Sequence, residues 1–271
     1  IYKNKVQMDF SVNLNPLGIP EPVSEAIRRG MDLCGNYPQY DQEQLRDTIA
    51  DAWGLKREAV YAGNGASELI LSVVRALSPK KALLFDPCFL GYERSLLAAG
   101  CEVLHHRLCE KNGFALEMED VCALSADTDL VFVADPANPV GKNISQEVLG
   151  TLLERAKKTQ TIVALDESFY FLSDASFGAG DAENAATTLL KQYDNLLIIR
   201  SMTKFLSVPG IRAGYVLGSP DLIRRLMQQL PEWNVSAPAE EVIKAGIRLE
   251  GNRAYRQQVM QRIRCERAFL R

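Results

Sequence analysis

Leu130-Val-Phe-Val-Ala134 and Thr161-Ile-Val-Ala-Leu165, separated by a helix-patterned stretch over 146–158, decide the fold class of this chain. Both are short, nearly uninterrupted apolar runs, as expected for strands covered on both faces. Runs of the same kind recur on either side: Ala59-Val-Tyr-Ala-Gly63, Ala82-Leu-Leu-Phe-Asp86, Glu102-Val-Leu-His105, Asn195-Leu-Leu-Ile-Ile199 and Ala213-Gly-Tyr-Val-Leu217. Helical periodicity fills most of the gaps. Residues 22–34 put Val23, Ala26, Ile27, Met31 and Cys34 on one face, and residues 42–53 do the same with Leu45, Ile49, Ala52 and Trp53. Residues 67–77, 90–99 and 221–230 also read as helices, the last opened by Ser219 as a cap and Pro220 at the first helical position. This alternation predicts an α/β fold: a mixed, mostly parallel seven-stranded sheet flanked by helices. The short link Ser201–Arg212 makes the last two strands the candidate antiparallel pair.

Composition narrows the function classes. The 271 residues carry a net charge of −3 and are 47% apolar, values of a folded globular chain and not of a disordered one. A mildly acidic sequence without a basic block argues against a nucleic-acid role. No apolar run approaches the roughly 20 residues a membrane helix needs, so no membrane role is expected. The six cysteines form no CxxC pair, which reads as reduced thiols in a cytoplasmic protein. The only histidines, His105 and His106, are adjacent; on a strand they would point to opposite faces, so no metal site is expected. From about Pro238 to Arg271 the sequence turns helical and charged. Three parts are expected: an N-terminal segment and helix over 1–35, a large domain over 36–237, and over 238–271 the start of a helix leading to a C-terminal small domain that is apparently missing. The Ile at position 1 leaves the true N-terminus open.

In such sheets ligands bind beyond the carboxyl ends of the strands, and four motifs fall there. Gly63-Asn-Gly-Ala-Ser67 lies between a strand and a helix, where first-turn N–H groups suit a phosphate. It is not the dinucleotide fingerprint, whose third glycine would fall at Glu68. Asp166 ends an apolar strand and can hold a cationic partner; the P-loop that would make it an ATPase acid is absent. Asp135-Pro-Ala-Asn-Pro-Val-Gly141 ends another strand and aims Asn138 at the same crevice. Ser201-Met-Thr-Lys204 follows a third strand, with Arg212 eight residues on in Pro209-Gly-Ile-Arg212. The SxxK spacing also occurs in serine acyl-transfer enzymes, but the KTG partner motif is absent.

Taken in this order, the motifs resemble the fold-type I pyridoxal-phosphate (PLP) enzymes of the class I/II aminotransferase group, from about Met8 to Pro238. Within the group, Asp9-Phe-Ser-Val-Asn-Leu-Asn-Pro-Leu-Gly18, Ser201-Met-Thr-Lys-Phe205 and Trp233-Asn-Val-Ser236 are similar to threonine-phosphate decarboxylases of cobalamin synthesis, with histidinol-phosphate aminotransferases next. The resemblance implies the large-domain fold of that group and PLP as cofactor. It assigns Lys204 to the Schiff base, Asp166 to the ring nitrogen, Asn138 to the ring hydroxyl and Phe89 to ring stacking. Gly65, Ala66, Ser67, Ser201, Thr203 and Arg212 would hold the phosphate, and Tyr37 would reach the phosphate of the neighbouring subunit in a homodimer with shared sites. Asn13 would contact the substrate, an amino acid or amino-phosphate. Phe169 stands where the aminotransferase usually has tyrosine, which favours the lyase over the transaminase. A PLP-binding module without catalysis and a nicotinamide dehydrogenase are the competing readings.

Overall fold

The structure is a computed structural model and describes residues 12–177 and 185–270; Asp9, Phe10 and Ser11 of the opening motif lie outside the described residues. The chain runs α1 (Glu21–Asp32), α2 (Glu43–Trp53), β1 (Val60–Gly63), α3 (Ala66–Leu77), β2 (Lys81–Asp86), α4 (Leu90–Ala98) and β3 (Glu102–Arg107). It continues through β4 (Leu130–Ala134), α5 (Gln146–Lys158), β5 (Ile162–Asp166), α6 (Ala185–Leu189), β6 (Leu196–Ser201) and α7 (Met202–Phe205). It ends with β7 (Gly214–Gly218), α8 (Pro220–Met227), α9 (Ala237–Glu250) and α10 (Arg253–Phe269).

The seven strands form one sheet in the order β1-β7-β6-β5-β4-β2-β3. β3, β2, β4, β5 and β6 are parallel to one another. The expected β6–β7 pair is antiparallel, and so is β7–β1. β7 runs back along β6 and is inserted between it and β1, so one reversed strand makes two antiparallel ladders. Side chains alternate across the sheet. Val131, Val133, Leu165, Ile198 and Tyr215 face one core. Phe132, Ala164, Ile199 and Val216 face the other, where Leu69, Val73, Leu96 and Ile223 from α3, α4 and α8 cover them.

The register sets up the site. Ala134 pairs with Asp166, Asp166 with Ile199, and Ser201 with Gly214, which in turn pairs with Gly63. The carboxyl ends of β1, β4, β5 and β6 therefore meet the beginning of β7 along one edge of the sheet.

Three local expectations fail. Met31 is 61% exposed and Cys34 is exposed, because α1 turns Gly30 toward α9; a side chain at 30 would collide with Pro238. On α2, Ala52 is exposed and Arg46 is buried instead, its guanidinium donating to the Val60 and Arg57 carbonyls. Ser219 makes no side-chain cap on α8; Pro220 alone marks its start, while Ser145, Ser236 and Asn252 do cap α5, α9 and α10.

Candidate active site

A cleft of about 170 Å³ opens at that edge. Its walls include Ala66, Ser67, Phe89, Asn138, Asp166, Ser201, Thr203, Lys204 and Arg212. Nine residues singled out from the sequence thus converge on one cavity, although they come from six separate stretches of chain.

One end is an acid. Asp166 is the last residue of β5 and is only 6% exposed. Its Oδ2 accepts from the Tyr92 hydroxyl at 2.7 Å and its Oδ1 from the Ser168 N–H at 2.8 Å. Burial pushes its carboxyl above the ordinary aspartate value, against the pull of those donors. No cationic side chain pairs with it among the described residues, so a cationic partner would relieve the cost of ionising it there. Tyr92 is itself buried and stacked flat on Phe132, with ring centroids 4.8 Å apart, which fixes the direction of the phenol.

The other end suits an anion. The first-turn N–H groups of a helix have no intrahelical carbonyl, and at α3 they belong to Ala66 and Ser67. Gly65 precedes them at φ 79°, a conformation that favours glycine, and an added Cβ there would lie 2.6 Å from the Arg212 guanidinium. Gly214 allows the same approach from the sheet side, since a Cβ on it would lie 3.2 Å from the Ala66 nitrogen. Ser201 and Thr203 place their hydroxyls 2.7 Å apart beside them.

The same cleft holds Lys204, on the single turn α7 directly after β6. Its Nζ has no carboxylate partner among the described residues and sits 5.8 Å over the Phe169 ring. Burial, and behind it the Arg212 guanidinium, holds this amine below the ordinary lysine value. That is the state a nucleophilic or proton-carrying amine needs.

Asn138 reaches the cleft on a turn tied down by Asp135, whose buried Oδ1 accepts from Asn143 Nδ2 at 2.7 Å and from the Ile144 N–H at 3.2 Å. Asn13 and Tyr37 do not line the cleft of their own chain. Asn13 is exposed, and Tyr37 is 81% exposed with its ring 4.8 Å from Trp233. Asn15 of the opening motif is the residue that touches the lysine turn. Asn15 is 3% exposed, donates its N–H to the Lys204 carbonyl and its side-chain amide to the Phe205 carbonyl, and accepts from Ser207. It splints the turn that carries the lysine. Tyr92 and Asn15 escaped the sequence reading, since their partners lie 74 and 190 residues away.

Among the described residues no cluster of His, Cys, Asp or Glu could hold a metal ion, and no helix is long and apolar enough to cross a membrane.

Comparison with known proteins adds family context. The sequence profile of the family "Aminotransferase class I and II" matches residues 5–271. A relative from Caldanaerobacter subterraneus subsp. tengcongensis, provisionally named a threonine-phosphate decarboxylase, is 38% identical over 231 residues, which is 85% of this chain and 61% of that protein. The threonine-phosphate decarboxylase of Salmonella typhimurium is 34% identical over 234 residues, 86% of this chain and 62% of that protein. The chain thus spans about three fifths of the length of these relatives. Among solved structures, the histidinol-phosphate aminotransferase of Clostridium acetobutylicum superposes with a TM-score of 0.83 at 29% identity, covering 96% of this chain and 75% of that one.

Proposed function

Because the chain belongs to the class I and II aminotransferase family, we propose that its cleft binds pyridoxal 5'-phosphate and serves a PLP-dependent enzyme acting on an amino acid or amino-phosphate. The donor set fits that cofactor. Arg212, the Ser201 and Thr203 hydroxyls and the α3 N-terminus match a phosphate, and the glycine at 65 keeps the cradle clear of a side chain. Asp166 would hold the proton of the cationic ring nitrogen, Asn138 would donate to the ring hydroxyl, and Phe89 would cover the ring face. Within residues 36–237 these groups make up the cofactor-binding unit.

The single observation that carries this reading is the joint presence of Lys204 and Asp166 in one small cavity, one amine and one acid without a charged partner among the described residues. When bound, the cofactor supplies an electron sink for the pair left on the substrate α-carbon. Lys204, with its lowered affinity for a proton, takes up and returns one beside it.

The reaction we favour is decarboxylation of threonine O-3-phosphate, in the cytoplasm and in cobalamin synthesis. Relatives of that name are 34–38% identical, and Phe169 puts an apolar ring where a phenol would serve a transaminase. The second reading is transamination of histidinol phosphate, supported by the aminotransferase of Methanothermobacter thermautotrophicus at 31% identity. CO2 release from O-phosphothreonine, compared with 2-oxoglutarate-dependent turnover of histidinol phosphate, separates the two. We also propose a homodimer in which exposed Tyr37 completes the neighbouring site; a monomer in sedimentation analysis under holoenzyme conditions contradicts it.

A further inference from the structure

We infer that Gln42, Asn234 and Glu68 are positioning residues that set the shape of the anion cradle from behind, an inference that rests on the reading of the cleft as a PLP site. None of the three lines the cleft. They join three distant segments in one chain of contacts. Gln42 Nε2 donates to Asn234 Oδ1 at 2.8 Å, and Asn234 Nδ2 donates to Glu68 Oε2 at 2.9 Å. The same Glu68 oxygen accepts the backbone N–H of Asn64 at 2.7 Å, one residue before the cradle glycine.

The anchor of this relay is the edge of β1 that has no strand neighbour, a buried edge. Edge strands leave N–H and C=O groups without a strand neighbour. The Gln42 side-chain amide fills that role: it accepts from the Ala62 N–H at 3.0 Å and donates to the Ala62 carbonyl at 3.1 Å. Gln42 is 7% exposed and holds φ 56°, a left-handed conformation rare for a residue with a side chain, so the surrounding contacts must hold it there. Asn234 adds a donation to the same Ala62 carbonyl at 3.3 Å.

The other end of the relay is Glu68, at the third position of α3. A carboxylate there reaches back over the helix start. By taking the Asn64 N–H it fixes the plane of the Gly63–Asn64 peptide, whose Gly63 carbonyl accepts the Gly65 N–H at 2.8 Å. The orientation of the Gly65–Ala66–Ser67 backbone follows, and with it the aim of the two free N–H groups and their packing on Arg212. The head group of Glu68 turns to Asn64 and Asn234 and does not line the cleft. An amide at 234 suits this, since it offers one donor to Glu68 and one acceptor to Gln42.

The test separates phosphate recognition from folding. Apo protein is titrated with PLP and, separately, with pyridoxal, which lacks the phosphate. Asn234→Ala and the near-isosteric Asn234→Asp are compared with the natural chain; the aspartate opposes Glu68 with a like charge while keeping the volume. Both variants should bind PLP about tenfold more weakly and bind pyridoxal as the natural chain does. Glu68→Gln, which keeps an oxygen acceptor for Asn64, should lose less than Glu68→Ala. Equal weakening of both ligands, or of neither, overturns the inference while leaving the PLP reading intact. A natural chain that binds neither ligand overturns the PLP reading itself.

Discussion

Asp166 and Glu167 are consecutive acids at the end of one strand, both nearly inaccessible, and they have opposite fates. Glu167 points to the face opposite the cleft, where its Oε2 accepts from Arg200 at 2.7 Å. Arg200 lies 4.2 Å over the Trp53 ring and donates to the Tyr215 hydroxyl, which donates in turn to Glu250. Charge on that face is matched from within. Among the described residues Asp166, on the cleft face, has only neutral donors, and Lys204 in the same cleft has no acid. The same strand end therefore carries a closed network for stability and an open one awaiting a ligand. The difference between them, not burial alone, is what marks the cleft as the functional face.

The largest effects should come from exchanging the two acids. Glu167→Ala strands Arg200 and should cost about 3–5 kcal/mol in chemical denaturation of the apo protein. Asp166→Asn should leave that stability unchanged or raise it, because it removes a buried charge without a counter-charge, yet lower turnover by about 10²–10³. Equal losses of apo stability in the two variants would erase the distinction drawn here.

A smaller effect concerns pH. Burial pushes the Glu250 carboxyl up to about 7, with Arg200 and the Tyr215 hydroxyl opposing the shift. The folded chain therefore holds this proton more tightly than the unfolded one. The stabilisation is fully present below the ordinary glutamate value of 4.5 and is lost as pH rises through about 7. Glu250→Gln does not titrate, so its stability relative to the natural chain should rise between about pH 4.5 and 7, by up to about 1.4 kcal/mol per pH unit, and level off above about 7. A difference that does not change with pH would remove Glu250 from the closed network.

Smallest is Tyr92→Phe. The ring still stacks on Phe132, but Asp166 loses one donor to its charged form. Its carboxyl should rise further, and PLP affinity should fall about fivefold, on the order of 1 kcal/mol. An unchanged affinity by titration would show that the phenol serves packing alone.

Much of this arrangement is legible in the sequence because strand ends are. An apolar run followed by Asp, or by Ser-x-x-Lys, places those side chains at one edge of a parallel sheet whatever the loops do. Which face each residue takes is legible too: Ser201 and Asp166 fall in phase with one core, Arg200 and Glu167 with the other. What stays hidden is contact at long range. The grip of Asn15 on the lysine turn is not legible in the opening motif, because it arises only from the docking of that segment against Phe205 and Tyr255. Helix phase alone placed Met31 inward, whereas the close approach of α9 at Gly30 rotates that face away. The relay through Asn234 spans 166 residues and has no local signature.

The most direct test of the central claim is covalent. The purified chain is incubated with PLP, reduced with borohydride, digested and mapped by mass spectrometry. The account predicts one labelled site, Lys204, with no labelling there in Lys204→Ala and sharply reduced labelling in Asp166→Asn. Label distributed over surface lysines, or a Lys204 that stays unmodified while the cofactor attaches elsewhere, would contradict it.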